Sequence, residues 1–199
     1  MTASPPVFDR FDLLSPLLAR TEDDPRPVVL MTCGMAGSGK STLSRWILSN
    51  HPSFKRFSID AYVYSHHGLY GVDYPKEKYN DFLDEAEDAL RVEFTEVLRE
   101  GSHDAILDFS FAFRETRDEW RSLIEESGAR WVLVYLDVRA DELWRRITTR
   151  NQLAVKDGDS SFFITEEIFK GYLAGFERPS GEGEVVLRLA SGQGVVGAG

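Results

Sequence analysis

The segment Gly34-Met35-Ala36-Gly37-Ser38-Gly39-Lys40-Ser41 fits the pattern G-x-x-x-x-G-K-[ST] in full. In a loop of this composition the glycines let successive backbone N–H groups turn inward around phosphate oxygens, and a following helix aims its positive end at the same charge. Gly34, Ala36, Gly37, Ser38 and Gly39 would form the cradle, with Thr42 in the helical turn behind it. Lys40 would reach the β- and γ-phosphates, and the Ser41 hydroxyl would bind Mg²⁺. The chemistry implied is binding of a nucleoside triphosphate.

The flanking elements have to hold that loop. Val28 to Thr32 (VVLMT) is a short continuous apolar run that reads as a strand buried on both faces, and Ser41 to Asn50 reads as a helix with Leu43, Trp46, Ile47 and Leu48 on its inner side. Lys55 to Asp60 (KRFSID), Asp104 to Phe109 (DAILDF), Arg130 to Asp137 (RWVLVYLD) and Glu184 to Leu189 (EVVLRL) are further strand candidates. Between them the period switches to helical. Lys76 to Glu100 repeats apolar residues from Tyr79 through Phe82, Ala86, Leu90 and Phe94 every three to four positions, and Gly101 stops it. Arg114 to Ser127, Ala140 to Arg150 and Thr165 to Phe176 complete the helices, whereas Ala61 to Tyr74 shows no clear period and reads as a loop or broken helix. Strands alternating with helices mean crossover units, hence an α/β domain with a mostly parallel sheet. The expected organisation is a lead-in segment over 1–25, a catalytic domain over 26–190 and a Gly-rich tail over 191–199.

Composition narrows the partners. The chain has 199 residues, with 23 Lys and Arg against 33 Asp and Glu, a net charge of −10. Such a balance, without a basic stripe, argues against nucleic acid and anionic membranes as partners. One cysteine, Cys33, excludes an internal disulfide and reads as a small buried residue of the first strand. No apolar run approaches bilayer length, and the acidic, Pro-containing start does not read as a signal peptide, so a reducing, cytoplasmic location is expected. His66 and His67 are adjacent, so they do not share a face, and no Cys or third His lies near to make a metal site.

Taken in order along the chain, GMAGSGKS, the strand end SID at Ser58 to Asp60, LDFSF at Leu107 to Phe111 followed by Arg114 and Arg117, and RITTR at Arg146 to Arg150 resemble the small P-loop kinases related to gluconate kinase, zeta toxin and chloramphenicol phosphotransferase. The likeness is greatest to the group labelled AAA-domain or zeta-toxin-like ATP-binding kinases, and it runs from Val28 to Glu184. It implies a three-layer P-loop NTPase fold of the nucleoside-monophosphate-kinase type, with a five-stranded sheet in the order 2-3-1-4-5 and a lid helix. It also implies roles. Asp60 would accept the proton of an attacking hydroxyl, and Asp108 resembles a Walker B acid that holds Mg²⁺ through water or orients Ser41. Arg146 and Arg150, four apart with Arg145 beside them, would close on the phosphates as lid arginines. Arg114 and Arg117 would hold an anionic substrate or the migrating phosphoryl group. Tyr62 and Tyr74 belong to an aromatic stretch, Tyr62 to Tyr79, that would wall the acceptor site together with Asp60. The segment Arg178 to Gly183 would border the adenine.

The resemblance also has a gap. Relatives acting on sugar nucleotides and nucleic-acid ends carry an Arg shortly after the acid, whereas Ala61, Tyr62 and Val63 follow Asp60 here. The reading that results is an ATP- and Mg²⁺-dependent phosphotransferase acting on a small-molecule hydroxyl. A nucleotide-gated regulatory module with slow hydrolysis and a nucleic-acid 5′-kinase are the alternatives.

Overall fold

The computed structural model describes residues 11–153, 157–160 and 162–188. A 3₁₀ turn over Asp12–Leu14 runs into the short helix α1 (Ser15–Leu18). There follow β1 (Val28–Cys33), α2 (Lys40–Asn50), β2 (Phe54–Phe57), α3 (Ile59–His67), α4 (Tyr79–Glu100), β3 (Asp104–Leu107), α5 (Arg114–Glu126), β4 (Arg130–Asp137), α6 (Ala140–Asn151), α7 (Glu166–Gly175) and β5 (Val185–Arg188). The five strands form one sheet in the order β2-β3-β1-β4-β5, and every pairing is parallel. This is the expected P-loop arrangement. Among the described residues no helix is long and apolar enough to cross a membrane.

The alternation of β1 explains the layers. Val29, Met31 and Cys33 face a core that takes in Phe94 and Leu98 of α4 and Trp120 and Ile124 of α5. Val28 and Leu30 face the other side, with Leu43, Trp46 and Ile47 of α2. Both faces are covered because parallel strands need crossover helices, and this is why β1 reads as an unbroken apolar run. The lead-in segment joins the second layer: Phe11, Leu14 and Leu18 are buried there, with Phe11 against the Trp46 ring at 5.7 Å. Residues 1–10 and the expected tail lie outside the described residues.

Two local expectations change. β2 ends at Phe57, so Ser58 and Asp60 are not strand residues. The Ser58 hydroxyl accepts from the Ala61 N–H at 3.3 Å and starts α3, which places Asp60 in a first helical turn. Ala61 to His67 is therefore helical where no period was legible, because α3 buries only Val63 fully. The last strand is read as Val185–Arg188, and the expected end at Leu189 falls outside the described residues.

A single carboxylate pins the start of the sheet. Asp104, 5% exposed at its side chain, accepts from the Val28 N–H at 2.8 Å, from Arg20 Nε at 2.9 Å and from the Ser53 hydroxyl at 2.8 Å. Replacing it strands three donors, one of them a charge, in a poorly solvated place. Asp104→Ala is expected to lower the unfolding free energy by about 3–5 kcal/mol, read as a shift of the urea midpoint; a shift within error of the wild type would remove this staple from the account.

Candidate active site

A cleft of about 1070 Å³ opens at the carboxyl ends of β1 and β3, where open α/β sheets bind ligands. Its floor is the loop from Gly34 to Gly39. Gly37 has φ of +80° and Gly39 of +104°, both in the left-handed region that a side chain resists. A Cβ on Gly37 would also lie 3.2 Å from the Leu143 carbonyl oxygen and 3.3 Å from Ile147, so this glycine lets α6 rest on the loop. Gly34, Ala36, Gly37, Gly39, Lys40, Ser41 and Thr42 all line the cleft. Ser38 does not; its hydroxyl is buried without a hydrogen-bond partner and its N–H donates to the Met35 carbonyl at 3.1 Å, which closes the loop. Lys40 Nζ donates to the carbonyl oxygens of Gly34 at 3.0 Å and Met35 at 3.2 Å, and burial pushes its pKa down against the pull of Asp108 and Asp60.

Asp108 and Asp60 face the same space. The Asp108 side chain is 2% exposed, and Arg56 holds its Oδ2 through Nε at 2.9 Å and Nη2 at 2.6 Å. Asp60 is exposed to the cleft, with the protein of the cleft walls packed around it. That crowding pushes its carboxyl above the usual range, Asp108 adds to the push, and Lys40 and Arg150 oppose it. The arginines expected to close on the phosphates lie on α6. Arg146 lines the cleft, with Nε on Glu142 at 2.7 Å and Nη1 on the Gly37 carbonyl at 3.2 Å, which ties α6 to the phosphate loop. Arg145 grips the same Glu142, whose carboxyl the two guanidiniums hold down to about 2. Arg150 lines the cleft and reaches the Asp159 carbonyl at 3.3 Å.

Four expected acceptor residues are not brought to the cleft. Tyr62, partly buried against the core, stacks on His66 at 3.9 Å, and Tyr74 is buried against Phe82 at 5.0 Å. Arg114 is exposed beside Asp118 at 3.5 Å. Arg117, 1% exposed, points into the protein and is bidentate to Glu182, through Nε at 2.9 Å and Nη2 at 2.7 Å. The segment expected at the adenine serves the same clamp, for Glu182 also binds Arg121, and Arg178 sits 3.9 Å from Asp137. Of the expected stretch Tyr79 does line the cleft, where it is stacked on Phe162 at 4.6 Å and Tyr172 joins it. Burial and the Asp60 charge raise both phenols, so each remains a protonated donor beside the acid.

The clamp shapes the cleft from behind. Arg117 Nη1 donates to the carbonyls of Phe111 at 2.9 Å and Glu177 at 3.0 Å. Phe111 has φ of +44°, the one non-glycine residue with positive φ among the described residues, and its carbonyl also accepts from Cys33 Sγ at 3.3 Å. A bulky residue holds that conformation only where its surroundings over-determine it. Burial pushes the Cys33 thiol up to about 12, which makes it an inert core group.

The donors present suit Mg²⁺. Among the described residues no group of three or more His, Cys, Asp or Glu forms a protein-only metal cage. Ser41 and Asp108 line one cleft, and Asp108 keeps its Oδ1 clear of the Arg56 contacts. One hydroxyl and one carboxylate beside a phosphate site is the set Mg²⁺ takes, since it completes its shell with phosphate oxygens and water.

A family profile described as an AAA domain matches residues 29–179, and the chain belongs to that family. Its fold is that of the small P-loop kinases. No curated protein matches the chain. Among solved structures, a protein from Chloroflexus aurantiacus provisionally named a kinase superposes with a TM-score of 0.64 at 17% identity, over 82% of this chain and 87% of its own. The Pnkp1/Rnl/Hen1 RNA repair complex matches with a TM-score of 0.59 at 18% identity, over 75% of this chain and 44% of its own. The Mycobacterium tuberculosis APS kinase CysC, in complex with AMPPNP and APS, matches with a TM-score of 0.52 at 18% identity, over 82% and 89%. At these identities the likeness is one of fold.

Glu182 supplies a pH test of the clamp. Arg117 and then Arg121 hold its carboxyl down to about 2 from an ordinary 4.5. A depressed carboxyl stabilises the fold above its unfolded pKa and loses that contribution as pH falls through the folded one. The stability difference between wild type and Glu182→Gln should therefore be full at pH 7 and shrink from about pH 4.5 toward 2. A pH-independent difference in urea titrations would show that the charge of Glu182 is not what holds the clamp.

Proposed function

We propose that the protein is an ATP-dependent kinase that transfers the γ-phosphoryl group to a hydroxyl of a small molecule. The observation that carries this reading is the position of Asp60, a carboxylate facing Lys40, Asp108 and Arg150 in the cleft that the phosphate loop floors. A switch that only binds nucleotide has no use for a base there. The acceptor oxygen attacks the γ-phosphorus, its proton passes to the Asp60 carboxylate, and the bond from that phosphorus to the β–γ bridging oxygen breaks to leave ADP. Lys40, Arg146 and Arg150 offset the charge carried by the phosphates, and the backbone N–H groups of the loop that are not engaged within the protein hold them in place, those of Gly34 and Ser38 being bonded to Ser110 and Met35. Mg²⁺ on Ser41 and Asp108 would neutralise β- and γ-phosphate oxygens.

The wall chemistry supports a small acceptor over a nucleic-acid end. The basic residues lining the cleft are Lys40, Arg45, Arg145, Arg146 and Arg150, all on α2 or the lid helix α6. The lining also carries the acids Asp60, Asp84, Glu87, Asp108, Asp157 and Asp159, with Tyr79 and Tyr172. A polyanion entering there would meet carboxylates, whereas a polyhydroxylated compound would meet aromatic faces and hydrogen-bonding tips. The same reading takes ATP and Mg²⁺ as the cofactors and a low-molecular-weight alcohol as the partner.

The test is transfer from γ-labelled ATP with Mg²⁺ to a pool of cell metabolites. A labelled small molecule is expected, and labelling should vanish with Lys40→Ala. Asp60→Asn should lower kcat by about 10²–10⁴ with little change in ATP affinity; near-normal turnover would remove Asp60 from the mechanism. Because the Asp60 carboxyl is raised, its ionised form costs the fold stability as pH rises, so Asp60→Asn should match or exceed the wild-type Tm at pH 7. The wild-type rate should fall toward acid pH with an apparent pKa above the ordinary 3.8.

A further inference from the structure

Arg56 lies on β2, outside every motif in the sequence, yet its guanidinium joins two acids that sit on different parts of the site. Both of its contacts to Asp108, at 2.9 and 2.6 Å, fall on Oδ2. Its Nη2 also binds Asp159 Oδ1, and the other Asp159 oxygen is taken by Arg45 of α2. The charges therefore alternate in a chain, Asp108 to Arg56 to Asp159 to Arg45, from the end of β3 across β2 and the lid-side loop to the helix behind the phosphate loop. The first three side chains are at most 18% exposed.

Residues 157–160 are shaped to present Asp159. The Ser160 hydroxyl donates to Asp157 Oδ1 at 2.7 Å and accepts from the Asp157 N–H at 2.9 Å, while the Asp159 N–H donates to Asp157 Oδ1 at 3.1 Å. Gly158 lies flat on α3, where an added Cβ would be 3.0 Å from Ala61 Cα, one residue past Asp60. Arg150 of the lid helix holds the Asp159 carbonyl. The loop thus touches α6 at Arg150, α3 at the residue after Asp60, and the arginine that grips Asp108.

A buried carboxylate is oriented by whatever pairs with it, and a planar guanidinium gripping one oxygen leaves the other fixed in direction. We propose that Arg56 is a positioning residue that turns Asp108 Oδ1 toward the metal, and that Asp159 makes this positioning depend on the 157–160 loop being docked. The inference rests on the kinase reading of the cleft. With the loop in place Arg56 has acids on both sides and is held across them. With the loop lifted, Arg56 keeps Asp108 but loses the second carboxylate that fixes its guanidinium plane, so the direction of Asp108 Oδ1 is no longer held. Metal binding and loop docking are thereby linked, as sites coupled through a shared two-state contact must be.

The test reads Mg²⁺ binding rather than turnover. A fluorescent mant-ATP is titrated with and without Mg²⁺ on wild type, Arg56→Gln, Asp159→Asn and the double variant. In the wild type Mg²⁺ should tighten binding. Arg56→Gln should raise the Mg²⁺ concentration needed for half of that effect about tenfold or more, with affinity in EDTA unchanged. Asp159→Asn, a loop change that leaves the core intact, should raise it in the same direction. The double variant should resemble Arg56→Gln alone, because Asp159 acts through Arg56. An unchanged Mg²⁺ requirement in either single variant, or additive effects in the double, would overturn the inference. A wild type that does not bind mant-ATP would instead overturn the kinase reading on which it rests.

Discussion

Everything in the site follows from a backbone that must reverse direction between β1 and α2 while keeping its N–H groups pointed at one place. Gly37 and Gly39 take left-handed conformations there, and α6 approaches so near Gly37 that a methyl group would meet Leu143 and Ile147. The same turn sets the start of α2, and with it Lys40, Ser41 and the positive end of the helix. Lys40 then lies against the Gly34 and Met35 carbonyls, and Arg146 of the lid spans to the Gly37 carbonyl. Loop, helix and lid are one hydrogen-bonded unit before any ligand is considered.

The sheet makes that unit rigid by burying β1 on both faces. Its register with β3 and β4 brings Asp108 and the strained Phe111 to the rim, and the Arg117–Glu182 pair holds the rim from behind. Such a pair adds little net stability over a well-packed apolar contact, but breaking it leaves a buried charge, so it fixes geometry more than it strengthens the fold. Arg56 and Asp159 do the corresponding work at the front of the cleft. Two ionic clamps thus bracket the segment that follows β3.

What was legible in the sequence is what local pattern encodes. The loop motif, the apolar β1 and the amphipathic α4 announce themselves by spacing, while Asp60 and Asp108 are singled out by the resemblance. The failures share a cause, since each depends on a partner far along the chain. Arg117 reads as an anion binder until Glu182, 65 positions on, is found facing it. Arg56 reads as an ordinary strand residue, and its partner Asp159 lies 103 positions away in an irregular loop. Tyr79, the end of the expected acceptor stretch, does line the cleft although periodicity alone would assign it to the apolar stripe of α4. Tyr62 and Tyr74 read as acceptor wall because the resemblance puts the acceptor along that aromatic stretch, and without a visible period nothing shows that they turn away from it. The signal that could have corrected them was Ser58, a helix cap concealed at the end of a strand-like run.

The central claim is that the Gly34–Thr42 loop holds the phosphates of ATP against Lys40 and across from Asp60. A crystal structure with Mg²⁺ and a non-hydrolysable ATP analogue tests it most directly. The account predicts that Lys40 Nζ leaves the Gly34 and Met35 carbonyls for β- and γ-phosphate oxygens, with the γ-phosphate turned toward Asp60. An analogue bound elsewhere, or a Lys40 still on those carbonyls with the γ-phosphate directed away from Asp60, would contradict it.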